Sequence, residues 1–295
     1  VPDWPAARDE MRRLVRFSSP VPTAVHVVDR SITGPGGDLA MRVYRPWAAG
    51  ESVPGILYAH GGGYAVGDLE SHDPLCRYLA VVSGCVVVAV DYRLAPEHPY
   101  PAAVEDAVTA YRWLLDNAGP LGVDPAAVGV MGDSAGGNLA AVLCLEARRV
   151  GLPQPRAQCL VYPLVDQRLR FGSYQTFAEG FGLTLEGVEL YQETYFPPGT
   201  DRTDPRASPL CADSLAGLAP ALVLTAGFDV LRDDGEAYAA ALAAAGVEVT
   251  YRCADDMVHG FVNLLAIPDA ASVTRWMALE FTRMLTSAAT GPGGN

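Results

Sequence analysis

Val128-Gly-Val-Met-Gly-Asp-Ser-Ala-Gly-Gly-Asn138 carries an apolar, β-branched run into the pattern G-x-S-x-G and then into an Ala/Leu-rich stretch. A strand, a sharp turn and a helix in that order lift the central serine above the end of the strand. The turn is passable only with small residues at Gly132 and Gly136, because the two backbones run so close there. On this reading Ser134 is a nucleophile with its Oγ projecting above a sheet.

A serine hydroxyl needs a base within hydrogen-bond reach, and that base needs an acid to orient it. Five histidines compete. His26, His60, His72 and His98 precede the serine and only His259 follows it. Chain order in a strand-elbow-helix hydrolase is serine, acid, histidine, which selects His259 in the stretch Asp255-Asp-Met-Val-His-Gly-Phe261. The acid is then Asp229, at the carboxyl end of an apolar run at Ala221–Thr225, where open α/β sheets gather their functional groups. Asp233 reads better as a helix cap, and Asp255 or Asp256 could reach His259 only locally.

His60-Gly61-Gly62-Gly63-Tyr64 directly follows another apolar run. Three successive glycines leave backbone N–H groups unshielded, which suits binding of the negative oxygen of a tetrahedral intermediate. The expected donors are the amides of Gly62, Gly63 and Ala135. A phosphate cradle is the other use of such a loop, but the spacing G-x-G-x-x-G and a P-loop lysine are both missing. His60 itself reads as a packed or hydrogen-bonded loop residue.

Around these motifs, short β-branched runs alternate with Ala/Leu-rich helical stretches from Gly55 to about Ser272, the pattern of a mostly parallel sheet with helices on both faces. Strands are expected at Gly55–His60, Cys85–Asp91, Val128–Gly132, Gln158–Tyr162, Ala221–Thr225 and Val247–Arg252. An antiparallel pair, Ala24–Arg30 and Leu39–Tyr44, precedes them through the turn Gly34-Pro-Gly-Gly37. Helices are expected at Ala102–Ala118, Ser134–Val150 and Asp234–Ala245, the last opening on a capping box of Asp233 and Glu236. Residues 291–295 read as a frayed tail.

Two segments break the alternation. Residues 1–23 hold an amphipathic helix with Met11, Leu14 and Val15 on one face. Residues 166–206 hold seven aromatics (Phe171, Tyr174, Phe177, Phe181, Tyr191, Tyr195 and Phe196), all within 26 residues, where the chain average would supply about two. A lid over an apolar pocket explains the enrichment. The plainer reading is a helical insertion whose aromatics only anchor it.

The chain has 295 residues, half of them hydrophobic, enough for one large domain without staples. A net charge of −13 opposes approach to nucleic acid or anionic lipid, so a small neutral substrate fits the field better. The six cysteines (Cys76, Cys85, Cys144, Cys159, Cys211 and Cys253) form no C-x-x-C and read as reduced thiols of a cytoplasmic protein. No run is apolar enough to span a bilayer. Metal chemistry lacks a ligand cluster.

The combination of His60-Gly-Gly-Gly63, Asp91-Tyr-Arg-Leu-Ala-Pro-Glu97, Gly132-Asp-Ser-Ala-Gly-Gly137, Asp229-Val-Leu-Arg-Asp233 and His259-Gly-Phe261 resembles the hormone-sensitive-lipase-like esterases, the bacterial family IV. The matching segments follow the family's order over about two-thirds of the chain. The resemblance implies an α/β-hydrolase fold with an eight-stranded, mostly parallel sheet. Residues 24–165 and 207–290 would form the catalytic domain, with 1–23 and 166–206 as a helical cap. It also implies Ser134, Asp229 and His259 as triad and Gly62, Gly63 and Ala135 as oxyanion hole. Short- to medium-chain acyl esters, no cofactor and a homodimer through the last strand complete the expectation. An amidase would use the same triad. A ligand-binding relative without the histidine, as in the plant gibberellin receptors, is disfavoured by His259.

Overall fold

The computed structural model describes residues 2–18 and 20–287. Eight strands form one sheet: β1 (Val25–Gly34), β2 (Gly37–Pro46), β3 (Val53–Ala59), β4 (Val86–Val90), β5 (Val123–Asp133), β6 (Gln158–Val161), β7 (Ala221–Phe228) and β8 (Val249–Val258). Their order is β1-β2-β4-β3-β5-β6-β7-β8. β1 and β2 make the expected antiparallel hairpin, β2 runs antiparallel to β4, and every pair from β4 onward is parallel.

A parallel strand covered on both faces needs apolar side chains throughout, and β4, Val86-Val-Val-Ala-Val90, is buried at every position. Its residues alternate between two cores. Val86, Val88 and Val90 join Leu57 under α3 (Ala102–Asp116), α4 (Ala135–Val150) and α7 (Arg232–Ala244). Val87 and Ala89 join Ile56 and Tyr58 under α2 (Asp73–Ser83) and α8 (Pro268–Thr286). α4 lies deepest, with thirteen of its sixteen residues buried, which its Ala/Leu/Gly composition permits on all sides. No helix among the described residues is long and apolar enough to cross a membrane.

Three more helices stand outside this sandwich: α1 (Trp4–Arg13), α5 (Ser173–Thr176) and α6 (Leu185–Tyr195). α1 is tied down by Arg8, whose guanidinium donates to the Ala65 and Ala95 carbonyls and to both Glu97 oxygens. The amphipathic face is interrupted, since the α-helix ends at Arg13 and Leu14–Ser18 continue as a 3₁₀ turn.

Several boundaries differ from expectation for identifiable reasons. α7 begins at Arg232, and its capping box does not form: Leu231 is the N-cap residue and Asp233 already lies in the first turn. Asp233 accepts instead from the Ser173 amide, and Asp234 from those of Val165 and Asp166, so the loop after β6 claims both carboxylates. β8 extends past Arg252 to Val258 because its pairing with β7 resumes beyond an irregularity, at Phe228 opposite Val258. Asp255 and Asp256 are therefore exposed strand residues rather than loop. Residues 291–295 lie outside the described residues.

Candidate active site

Five contiguous parallel strands end at one edge of the sheet, and the residue after each end is chemically distinctive. His60 follows β3, Ser134 follows β5, Tyr162 follows β6, Asp229 follows β7 and His259 follows β8. Carboxyl ends of parallel strands are where such a sheet presents functional groups.

Ser134 has φ 56° and ψ −119°, a strained conformation for a residue with a Cβ. The surroundings enforce it. A Cβ on Gly132 would sit 2.1 Å from the Gly136 carbonyl oxygen, and one on Gly136 would sit 2.0 Å from that of Ala59. The Ser134 amide is fixed by the Val161 carbonyl at 2.8 Å. Ser134 occupies the N-cap position of α4, yet its side chain caps nothing. Its Oγ lies 2.9 Å from His259 Nε2 instead.

His259 Nδ1 lies 2.7 Å from Asp229 Oδ2, while Asp229 Oδ1 accepts from the Leu231 amide at 2.9 Å. The Leu231 amide fixes the Asp229 side chain, so that Asp229 Oδ2 and Ser134 Oγ meet the two ring nitrogens of His259. The Tyr162 ring packs 4.5 Å from the imidazole, and Phe261 closes behind Tyr162 at 5.6 Å. Residues 30 and 125 positions from His259 therefore meet it in one line.

Across the serine, Gly62 and Gly63 have φ of 113° and 59°, values suited to glycine. Among the described residues, the amides of Gly62, Gly63 and Ala135 have no hydrogen-bond partner. All three border the same cavity as Ser134 and His259. His60 is buried, stacked 4.2 Å from Tyr92 and bonded through Nδ1 to the Gly61 carbonyl. It is a packed residue, and burial followed by repulsion from His72 pushes its pKa down to about 4.

The cavity measures about 300 Å³. Its walls are chiefly aliphatic, with Leu164 and Leu231 from loops after β6 and β7, Leu183 and Val188 from the 166–206 segment, and Met11 and Leu14 from the N-terminus. Of the seven aromatics in that segment, Tyr191 alone lines it. Tyr174 and Phe177 pack with Leu164, Val230 and Leu231, while Tyr195 stacks 3.9 Å from Tyr64. Most of the aromatic enrichment thus anchors the segment, as the plainer sequence reading has it.

Sequence reasoning missed Tyr162, the aliphatic walls, Gln192 and Asn263 at the cavity, and the surroundings of Asp133. Only Tyr162 had a local signal, since it directly follows a strand. Among the described residues no group of three His, Cys, Asp or Glu side chains is placed to hold a metal ion.

Residues 56–263 match the family model described as alpha/beta hydrolase fold. The chain is 45% identical over 271 residues to the carboxylic ester hydrolase LipN of Mycobacterium tuberculosis, covering 90% of this chain and 72% of the relative. It is 41% identical over 252 residues to the ethyl acetate hydrolase of Pseudomonas putida, covering 84% of this chain and 79% of the relative. The solved hyperthermophilic esterase of Pyrobaculum calidifontis superposes with a TM-score of 0.90 at 41% identity, covering 96% of this chain and 92% of that one. With the sheet, the elbow and this likeness together, the chain belongs to the hormone-sensitive-lipase-like esterases of the α/β-hydrolase superfamily.

Proposed function

We propose that this chain hydrolyses short- to medium-chain carboxylic esters through an acyl-enzyme on Ser134. The observation that carries this is the continuous line from Asp229 through His259 to Ser134, at 2.7 and 2.9 Å, facing a cavity bordered by three unpaired amides. His259 takes the Ser134 proton as Oγ bonds to the ester carbonyl carbon, and the carbonyl electron pair moves to an oxygen held by Gly62, Gly63 and Ala135. Collapse of that intermediate expels the alkoxide, which takes the proton from His259. Water then repeats the sequence on the acyl group and restores the serine.

The aliphatic walls favour uncharged acyl and alcohol groups, and a cavity of about 300 Å³ limits chain length. The segments 1–23 and 166–206 act in this reading as a cap that supplies Met11, Leu14, Leu183 and Val188 to those walls. β8 is an edge strand, open to pairing with a second copy, which light scattering would detect as a dimer.

The test is a p-nitrophenyl ester series from acetate upward, run beside Ser134→Ala and His259→Ala. Turnover should peak among the short to medium chains and fall to background in both variants. Near-wild-type turnover in either variant sinks the mechanism.

A further inference from the structure

Asp133 stands beside Ser134 in sequence, borders the same cavity, and has no part in the mechanism above. Its side chain is buried. Its Oδ1 accepts from the Gly61 amide at 2.8 Å and from the Tyr58 hydroxyl at 2.5 Å, and His72 Nε2 lies 3.8 Å away. Burial pushes the Asp133 carboxyl up, but His72, Tyr58 and His60 more than offset it and leave it below the usual carboxylate range.

The bond to Gly61 matters because of what Gly61 precedes. Its carbonyl is taken by His60 Nδ1 at 2.7 Å, and His60 is held by the stacked Tyr92, whose hydroxyl donates to the His60 carbonyl at 2.8 Å. Both polar groups of Gly61 are thus consumed, and the next two amides, those of Gly62 and Gly63, are left over. The fit is close: a Cβ on Gly61 would lie 2.6 Å from Asp133 Oδ2. A buried ionised acceptor makes a stronger bond to N–H than a neutral one, which suits fixing a glycine run that has no side chains of its own to anchor it.

We infer that Asp133 is a positioning residue for the oxyanion hole, using its carboxylate to set the Gly61 peptide so that the Gly62 and Gly63 amides stay free and aimed at the cavity. This rests on the oxyanion-hole assignment under the proposed function. Electrostatics alone would give Asp133 the opposite effect, because a second anion close to a developing oxyanion raises its energy. The isosteric variant Asp133→Asn therefore separates the two by sign.

The experiment measures kcat and KM for p-nitrophenyl acetate together with Ki for an aryl trifluoromethyl ketone, whose adduct with Ser134 bears the same oxyanion. Asp133→Asn should lose about tenfold or more in kcat at little change in KM, with the ketone Ki rising in the same proportion. Tyr58→Phe, which removes only the second donor to Oδ1, should show a smaller loss with the same parallel. It provides the measurement if the asparagine variant fails to fold. An unchanged or increased kcat in the folded asparagine variant overturns the inference, as does a loss of kcat without weaker ketone binding. If Asp133→Asn does not fold, an unchanged kcat in Tyr58→Phe overturns it. Failure of the ketone to inhibit the wild type would instead remove the esterase mechanism itself.

Discussion

Two carboxylate–imidazole pairs flank Ser134, and they are built differently. In Asp229–His259 the contact is 2.7 Å, the imidazole borders the cavity, and 12% of its side chain is exposed. In Asp133–His72 the contact is 3.8 Å and the imidazole is 1% exposed, sealed among Tyr58, His60 and Ser71. In each pair the other ring nitrogen meets a serine, Ser134 Oγ at 2.9 Å in the first and Ser71 Oγ at 3.0 Å in the second. Only the first serine and imidazole border the cavity, whereas the second imidazole is closed off from it. Residue type does not distinguish a base from a brace. Access to the cavity does.

The largest effects test the open pair. Ser134→Ala and His259→Ala should each lower kcat by about 10⁴-fold or more in stopped or continuous ester assays, and the double variant should be little worse than either. Asp229→Asn should cost about 10³- to 10⁴-fold, because an amide can turn the imidazole to the wrong tautomer. A loss under tenfold would mean that the acid comes from elsewhere.

A smaller effect sharpens the contrast from the sealed side. His60 is held at about 4, below its unfolded value of about 6.5, so the folded chain favours the neutral ring. That contribution is complete above pH 6.5 and is lost as pH falls towards 4. It amounts to on the order of 3 kcal/mol between pH 7 and 4. Urea unfolding of His60→Gln should show a shallower acid slope than wild type, and equal slopes would refute the assignment.

The smallest effect concerns a third buried carboxylate with no imidazole at all. Asp234 accepts from the Val165 and Asp166 amides, and burial pushes it up to about 8. Its stabilisation is present below the unfolded carboxylate range and is lost as pH rises through about 8. Asp234→Asn keeps an oxygen for both amides without the charge, so its Tm at pH 8 should exceed wild type by about 2–4 °C. Asp133 and Asp234 are both enclosed and each accepts from two donors, but only Asp133 has histidines beside it, and of the two only Asp133 is held low.

The open pair was legible in the sequence through the chain order of serine, acid and histidine, and the extension of β7 to Phe228 and β8 to Val258 then put each member directly after a strand. Ser134 is marked by the glycines that let the elbow turn, and His259 by being the one histidine beyond it. Asp229 follows from the same chain order. The sealed pair gave no such signal. Asp133 occupies a variable position of G-x-S-x-G, and its partners Tyr58, Gly61 and His72 lie 75, 72 and 61 positions away. Their meeting depends on β3 and β5 being neighbours, which no local pattern states.

Local backbone requirements are written into residue type, so the sequence alone determined the alternation of strand and helix, the elbow, the glycine loop and the order of the three polar residues. Tertiary structure decided which aromatics line the cavity and which merely anchor, why Asp233 accepts from the Ser173 amide instead of forming a capping box with Glu236, and which histidine borders the cavity. Those outcomes turn on packing between segments far apart in the chain, where burial and the competition for a carboxylate are settled only once the sheet has assembled.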